Sequence, residues 1–240
     1  MNAPQHNTNE RKISKLLKQS QQRLTSAIKS FDGQKPNSLE EKYLWCMAVA
    51  VNQAAEGFIK LKKLRLVASK LMLRPAIEAT ICVKAALAEK KFYFRKIFSE
   101  WTNDLKLFEK DPAKRKQEEI LFDQFQARFK LKQPGYPAEK TKLYMSDAAK
   151  YAGSDVVNIY EYPYRLYCQW THSTMRSVLG KLPSTDHIDT SIMCWCTLSV
   201  LELLKGRSPA VIPDLTQAKK RLVELSPRPK LANGNRFQQS

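Results

Sequence analysis

One segment of the chain, Asn158 to Arg176, combines residue types that can act on a phosphodiester. A helix would place Arg165 and His172 two turns apart on nearly the same face, roughly 10 Å apart along its axis. Four further polar residues share that face: Asn158, Glu161, Gln169 and Arg176. The opposite side is rich in aromatic residues, including Tyr160, Tyr164 and Tyr167. The pattern predicts a helix over about 155–179 whose polar stripe presents one imidazole and two guanidinium groups.

This stripe has the chemistry needed for metal-independent RNA cleavage. An imidazole with an ordinary pKa near 6.5 can take the proton from a ribose 2′-hydroxyl at neutral pH, which gives His172 an acid/base role. Arg165 or Arg176 would then stabilise the negative charge that develops on the phosphate oxygens. The alternative is an ordinary solvated stripe, in which Arg165 pairs with Glu161 and Gln169 along the helix and His172 is exposed or hydrogen-bonded.

The spacing of Arg165 and His172 also resembles the loose Arg-x(4–6)-His pattern of the HEPN superfamily of helical nucleotide-binding domains. The stretch Leu-Met-Leu-Arg74-Pro-Ala-Ile-Glu78-Ala, followed far downstream by Tyr164-Arg165 and His172, resembles an uncharacterised bacterial branch of that superfamily. The similarity covers roughly residues 44–205. In active HEPN nucleases the residue after the arginine is usually polar, whereas this chain has Leu166.

The resemblance implies a helical bundle that often dimerises, with arginine and histidine from two protomers meeting in one cleft. It implies an RNase or nucleotide-binding module of a toxin or antiphage system, with an antitoxin or defence-operon partner. Arg74 and Glu78 lie four residues apart and could support such a cleft, with Glu78 holding Arg165 in position. Alternatively, they form a simple helix ion pair worth a few tenths of a kcal/mol.

The charge balance favours an acidic partner. The chain has 41 Lys plus Arg against 23 Asp plus Glu, a formal net charge of +18. Lys60, Lys62, Lys63, Arg65 and Lys70 follow one another near a predicted helix end, and we predict that the first four bind nucleic acid. The helix predicted over 10–31 is also basic, and its polar face is either solvated or binds something acidic. The competing interpretation is a basic surface that only contacts solvent; a membrane surface is disfavoured.

The sequence lacks the motifs of several common enzyme classes. The sequence has no GxxxxGK[ST], HExxH or GxSxG motif, which removes the main support for kinase, zinc-protease and serine-hydrolase activity. Its five cysteines are scattered without a CxxC pair, and the first residues lack the apolar run of a secretory signal, so we predict free thiols and a cytoplasmic location. We predict no metal and no cofactor, and we expect His187 to cap a helix or face solvent.

The composition predicts an all-α fold, a single bundle of about seven to nine helices. Glycine occurs only 7 times in 240 residues, and strand-like alternation is rare. The predicted helices span about 10–31, 38–66, 67–90, 92–110, 112–131, 146–151, 155–179, 187–205 and 215–225. Ser38 with Glu41 suits a capping box at the start of the second helix, and Pro75 must lie in the first turn of the third helix or bend it. Apolar residues at helical spacing predict the buried faces: Leu44, Ala48, Val51, Ala55 and Phe58 in the second helix, Leu73, Ile77, Ile81 and Ala85 in the third, and Leu121 in the fifth. In this interpretation residues 1–9 are a flexible N-terminus, 10–225 form one HEPN-like domain, and 226–240 are a disordered tail.

Two functional hypotheses follow. The first is an RNA-binding HEPN-like protein that cleaves RNA without a metal, using His172, Arg165 and Arg176, with Arg74, Glu78, Asn158 and Glu161 in supporting positions. The second is a non-catalytic nucleic-acid-binding or regulatory partner protein with the same fold. Both predict RNA or another nucleic acid as the partner, a homodimer, and no membrane.

Overall fold

Helices are the only regular elements among the residues that the computed structural model describes, which are 3–31, 38–64, 67–88, 110–128, 144–165, 167–168, 186–208 and 210–226. Eight α-helices occur there: α1 (Ala3–Lys29), α2 (Leu39–Lys63), α3 (Leu73–Ala88), α4 (Pro112–Arg128), α5 (Met145–Ala152), α6 (Ser154–Ile159), α7 (Asp186–Leu204) and α8 (Thr216–Leu225). A 3₁₀-helix, Val67–Met72, leads into α3, and a π-helical turn, Tyr160–Tyr164, follows α6. The all-α prediction is confirmed.

Helix α7 lies at the centre and packs against α1, α2, α3 and α8. It is buried on nearly every side, from Thr190 through Leu198 to Leu204. The hydroxyls of Ser191 and Thr197 bond to the carbonyl oxygens of His187 and Met193, so these polar groups are satisfied inside the helix. None of the described helices is both long enough and apolar enough to cross a membrane.

The surrounding helices bury the faces that their periodicity predicts. Ile13, Leu17 and Leu24 of α1 are almost completely buried, and so are the predicted apolar positions of the next two helices. Those positions are Leu44, Ala48, Val51, Ala55 and Phe58 in α2, and Leu73, Ile77, Ile81 and Ala85 in α3. Amphipathic helices around one buried helix account for the fold.

Local signals set several helix ends. The Ser38 hydroxyl accepts a hydrogen bond from the Glu41 backbone N–H, as the capping motif predicts. Pro75 lies in the first turn of α3, where its missing N–H costs no helical hydrogen bond. Gly153 separates α5 from α6 with φ 113° and ψ 164°, a conformation that is essentially restricted to glycine.

The structure departs from prediction at three places. Helix α1 begins at Ala3, so most of the segment predicted as a flexible N-terminus is helical; adding turns to an existing helix is easier than nucleating one. Helix α4 does not bury Leu121, which is 45% exposed, because no other described helix packs extensively against it. The helix predicted over 155–179 is interrupted by the π-helical turn, which contains Pro163. Residues 92–109, the segment 169–185 and the tail 227–240 lie outside the described residues.

Candidate functional site

The polar stripe predicted around Arg165 is exposed to solvent. Asn158, Glu161 and Arg165 all face outward, although the π-helical turn lies between the first and the last of them. Arg165 Nη1 lies 3.3 Å from Glu161 Oε2, and the arginine side chain is 66% exposed. This contact is the one expected of an ordinary solvated stripe. The other members of the predicted site, Gln169, His172 and Arg176, lie outside the described residues.

The opposite, aromatic side of this segment is buried where the structure describes it. Tyr164 and Tyr167 are nearly inaccessible, and the rings of Tyr160 and Tyr164 stack with centroids 5.3 Å apart. The π-helical turn packs against α3 and α5. The aromatic side chains therefore anchor the segment and leave the polar side chains at the surface.

Arg74 and Glu78 meet the same segment through Tyr164. Arg74 Nε lies 3.1 Å from Glu78 Oε1, and the Tyr164 hydroxyl donates a hydrogen bond to that same oxygen at 2.6 Å. Burial and the hydrogen bond to Glu78 raise the pKa of Tyr164, so its hydroxyl stays protonated and acts as a donor. Glu78 thus holds Tyr164 and Arg74, whereas the carboxylate that contacts Arg165 is Glu161. Among the described side chains, Glu78 therefore does not contact Arg165, and the support predicted for Arg165 is not observed.

The lysines predicted to bind nucleic acid lie in different environments. Lys60 is 70% exposed but lies 2.6 Å from Glu56, and Lys63 is exposed. Lys62 turns inward, where its ammonium contacts Glu10 at 2.8 Å and donates to the Thr190 hydroxyl. Arg65 lies outside the described residues. In this structure Lys62 therefore links α2 to α1 and α7. Its role in nucleic-acid binding stays a prediction.

A buried ion pair is the main feature that the sequence analysis missed. Lys70 lies 2.6 Å from Asp189, with side chains only 11% and 3% exposed, and the Tyr167 hydroxyl donates to the other Asp189 oxygen. His187, one turn before Ser191, is also buried, so solvent exposure, one of the two roles expected for it, is wrong. In the first turn of α7, His187 and Asp189 are enclosed by the bundle, whereas Ile188 is 41% exposed. The only signal for this network in the sequence was the carboxylate of Asp189 within the apolar stretch Ile188 to Leu204.

The largest set of exposed cations on any one described helix lies on α1. We define the basic face as its six Lys and Arg side chains, all of them exposed: Arg11, Lys12, Lys15, Lys18, Arg23 and Lys29. None of them contacts a carboxylate of a described residue, and the single acid of α1, Glu10, faces Lys62. The apolar periodicity of the helix already implies this segregation, because the buried stripe leaves the cations on the opposite side.

Helical geometry aligns most of the basic face. Arg11, Lys15 and Lys18 follow the i, i+4, i+7 spacing of one stripe, and Lys29 lies five full turns after Arg11. The row is about 27 Å long at 1.5 Å per residue. Lys12 and Arg23 flank it on one side. Such a row of like charges matches an extended anion and offers nothing to a small neutral ligand.

The cysteines and the described acidic residues form no metal-binding cluster. All five cysteines are free, as predicted, and burial raises the pKa of the Cys194 and Cys196 thiols to about 12. Within the described ranges, no three His, Cys, Asp or Glu side chains come close enough to hold a metal ion together. Cys82, Cys194 and Cys196 act as small core residues, whereas Cys46 and Cys168 are only partly buried.

No protein-family model, no curated protein and no solved structure matches this chain.

Proposed function

We propose that this chain binds nucleic acid, with RNA as the natural ligand, through the basic face of α1. The observation that carries the proposal is the exposure of six cations on one helix with no carboxylate of a described residue against them. Each such cation can replace a counterion at a phosphate, and release of that counterion favours binding. RNA is chosen over DNA because of the resemblance of the Arg165 and His172 spacing to HEPN proteins.

A membrane surface fits α1 less well than a polyanion does. An amphipathic helix that binds a bilayer inserts its apolar face among the lipid chains. In α1 that face is occupied, because Ile13, Leu17 and Leu24 are buried against the rest of the bundle. The side of α1 that remains exposed is polar and carries the six cations, which favour a ligand that is recognised through its charge.

Charge reversal at the middle of the basic face tests the proposal. In the double variant Lys15→Glu/Lys18→Glu we expect RNA affinity to fall by at least about tenfold, since two phosphate contacts become repulsive. The matched control is Lys114→Glu/Lys116→Glu, which makes the same change in net charge on the exposed helix α4. Fluorescence anisotropy with a labelled RNA oligonucleotide measures both. Equal affinities for the two variants would contradict the proposal, because only the total charge would then matter.

A second proposed function is metal-independent RNA cleavage by His172 with Arg165. The observation that favours it is the exposed guanidinium of Arg165, which a phosphate could reach without rearrangement of the buried side. We expect the His172→Ala variant to lose cleavage and keep RNA affinity, and we expect wild-type cleavage to survive EDTA and leave a 2′,3′-cyclic phosphate. If the wild-type protein binds RNA and cuts none of several substrates, the non-catalytic binding protein is the correct alternative. A homodimer and a toxin or antiphage role belong to this same proposal.

A further inference from the structure

A pocket opens at the edge of the basic face, between α1 and the chain that leads into α8. Its volume is about 260 Å³. Nine residues line it, among them Gln19, Gln22, Arg23 and Ser26 from α1, and Val211, Ile212 and Pro213 from the facing loop. This volume lies just below the usual range for pockets that hold drug-sized ligands, so the pocket suits a smaller planar group.

The facing loop is fixed at both ends, so the pocket is already formed in the structure. The Ser208 hydroxyl bonds to the Ala27 carbonyl oxygen at 3.3 Å, contacts the Ser30 hydroxyl at 3.0 Å and accepts from the Ala210 backbone N–H at 3.1 Å. At the other end, Leu215 is buried in the core. These contacts hold the loop beside the last turns of α1.

The lining combines groups that recognise a nucleobase. Gln19 and Gln22 have no side-chain hydrogen bond to another described residue, in contrast to Gln21, which bonds to Thr25 and Asn52. Their carboxamides can donate to and accept from a base edge, and glutamine pairs well with adenine. Val211, 95% exposed, supplies an apolar surface beside them, and Arg23 can stack on a base. The lining has no carboxylate, which disfavours a cation as the ligand.

The pocket lies within one helical turn of the aligned cations. Gln22 follows Lys18 by four residues, and Ser26 of the pocket wall precedes Lys29 by three. A nucleotide whose phosphate contacts Lys18 or Lys29 can therefore place its base in the pocket. A base-paired nucleotide cannot do so, because its edge and faces are already occupied by its partner and its stacked neighbours.

We infer that this pocket binds an unpaired nucleobase and makes the chain selective for single-stranded RNA over duplex RNA. The inference rests on the proposed function, because the basic face must hold the backbone beside the pocket. Selectivity arises from the pocket and affinity mainly from the cations, so the two can be separated by experiment.

The test uses the full chain, a short labelled oligoadenylate, the same strand annealed to oligouridylate, and an abasic ribose-phosphate oligomer of equal length. We expect the wild type to bind the single strand about tenfold more tightly than the duplex or the abasic oligomer. The neutral variant Gln19→Ala/Gln22→Ala should lose most of this preference and keep its salt dependence. Gln217→Ala, which removes an exposed carboxamide from α8 outside the pocket, is the control and should behave as wild type.

Three outcomes decide the inference. Equal wild-type affinity for the single strand, duplex and abasic oligomer overturns it while the Lys15→Glu/Lys18→Glu result still supports the proposed function. A preference that survives Gln19→Ala/Gln22→Ala also overturns it, since the selectivity then arises elsewhere. Absence of binding to all three probes overturns both proposals.

Discussion

The buried ion pair between Lys70 and Asp189 allows a quantitative prediction about stability. Asp189→Asn keeps the size of the side chain and an oxygen that can accept from the Tyr167 hydroxyl, but it places a neutral amide against the Lys70 ammonium. Because these side chains are only 3% and 11% exposed, water replaces little of the lost interaction. Removing one partner of a buried pair costs about 3–5 kcal/mol, and the residual exposure of Lys70 favours the lower end, about 3 kcal/mol.

Urea-induced unfolding followed by far-UV circular dichroism measures this change. The matched control is Glu56→Gln, which removes the same charge from the exposed pair with Lys60 and should cost no more than about 0.5 kcal/mol. The double variant Lys70→Met/Asp189→Asn should recover part of the loss, because no buried charge remains. An Asp189→Asn variant as stable as Glu56→Gln, at an unchanged denaturant slope, would refute the reasoning.

Three further perturbations give defined outcomes. Gly153→Ala should destabilise the protein by more than about 1 kcal/mol in the same urea assay, because alanine is strained at φ 113° and its Cβ would lie 3.1 Å from Asp155 Oδ1. An unchanged stability would contradict the backbone conformation of Gly153. Ser38→Ala should cost about 1 kcal/mol by removing the helix cap, and Ser38→Asn should restore it. Cys194 and Cys196 should resist a thiol reagent at pH 8 until urea unfolds the chain, since their raised pKa leaves little thiolate; rapid native labelling of either would contradict their burial. The same raised pKa values mean that these thiols favour the folded state at neutral pH and that this contribution is lost as pH rises from about 9 toward 12.

The helices were predictable because their signals are local. The apolar spacing of α2 and α3, the cap at Ser38 and the position of Pro75 each act within a few residues, so the sequence specifies them without tertiary information. The start of α1 lacks a strong signal in the sequence, since residues 3–10 show no apolar repeat. The π-helical turn was missed because a uniform rotation of 100° per residue was assumed across Pro163.

The direction of charged side chains was less predictable than the helices. Lys60, Lys62 and Lys70 look alike in sequence, yet Lys60 is exposed while Lys62 and Lys70 contact residues from distant parts of the chain, Glu10 and Asp189. Burial of a lysine depends on a partner brought close by the fold, and one sequence gives no information about that pairing. The basic face of α1 was accessible to prediction, because its cations and its buried stripe follow one helical period.

The salt dependence of RNA binding tests the central claim most directly. If the basic face contacts single-stranded RNA with all six cations, a plot of log affinity against log salt should have a slope of about −4, measured between about 50 and 200 mM salt. The neutral variant Lys15→Gln/Lys18→Gln should have a slope shallower by about 1.4, while Lys114→Gln/Lys116→Gln should retain the wild-type slope. Identical slopes for all three proteins would contradict the assignment of the basic face of α1 as the RNA-binding surface.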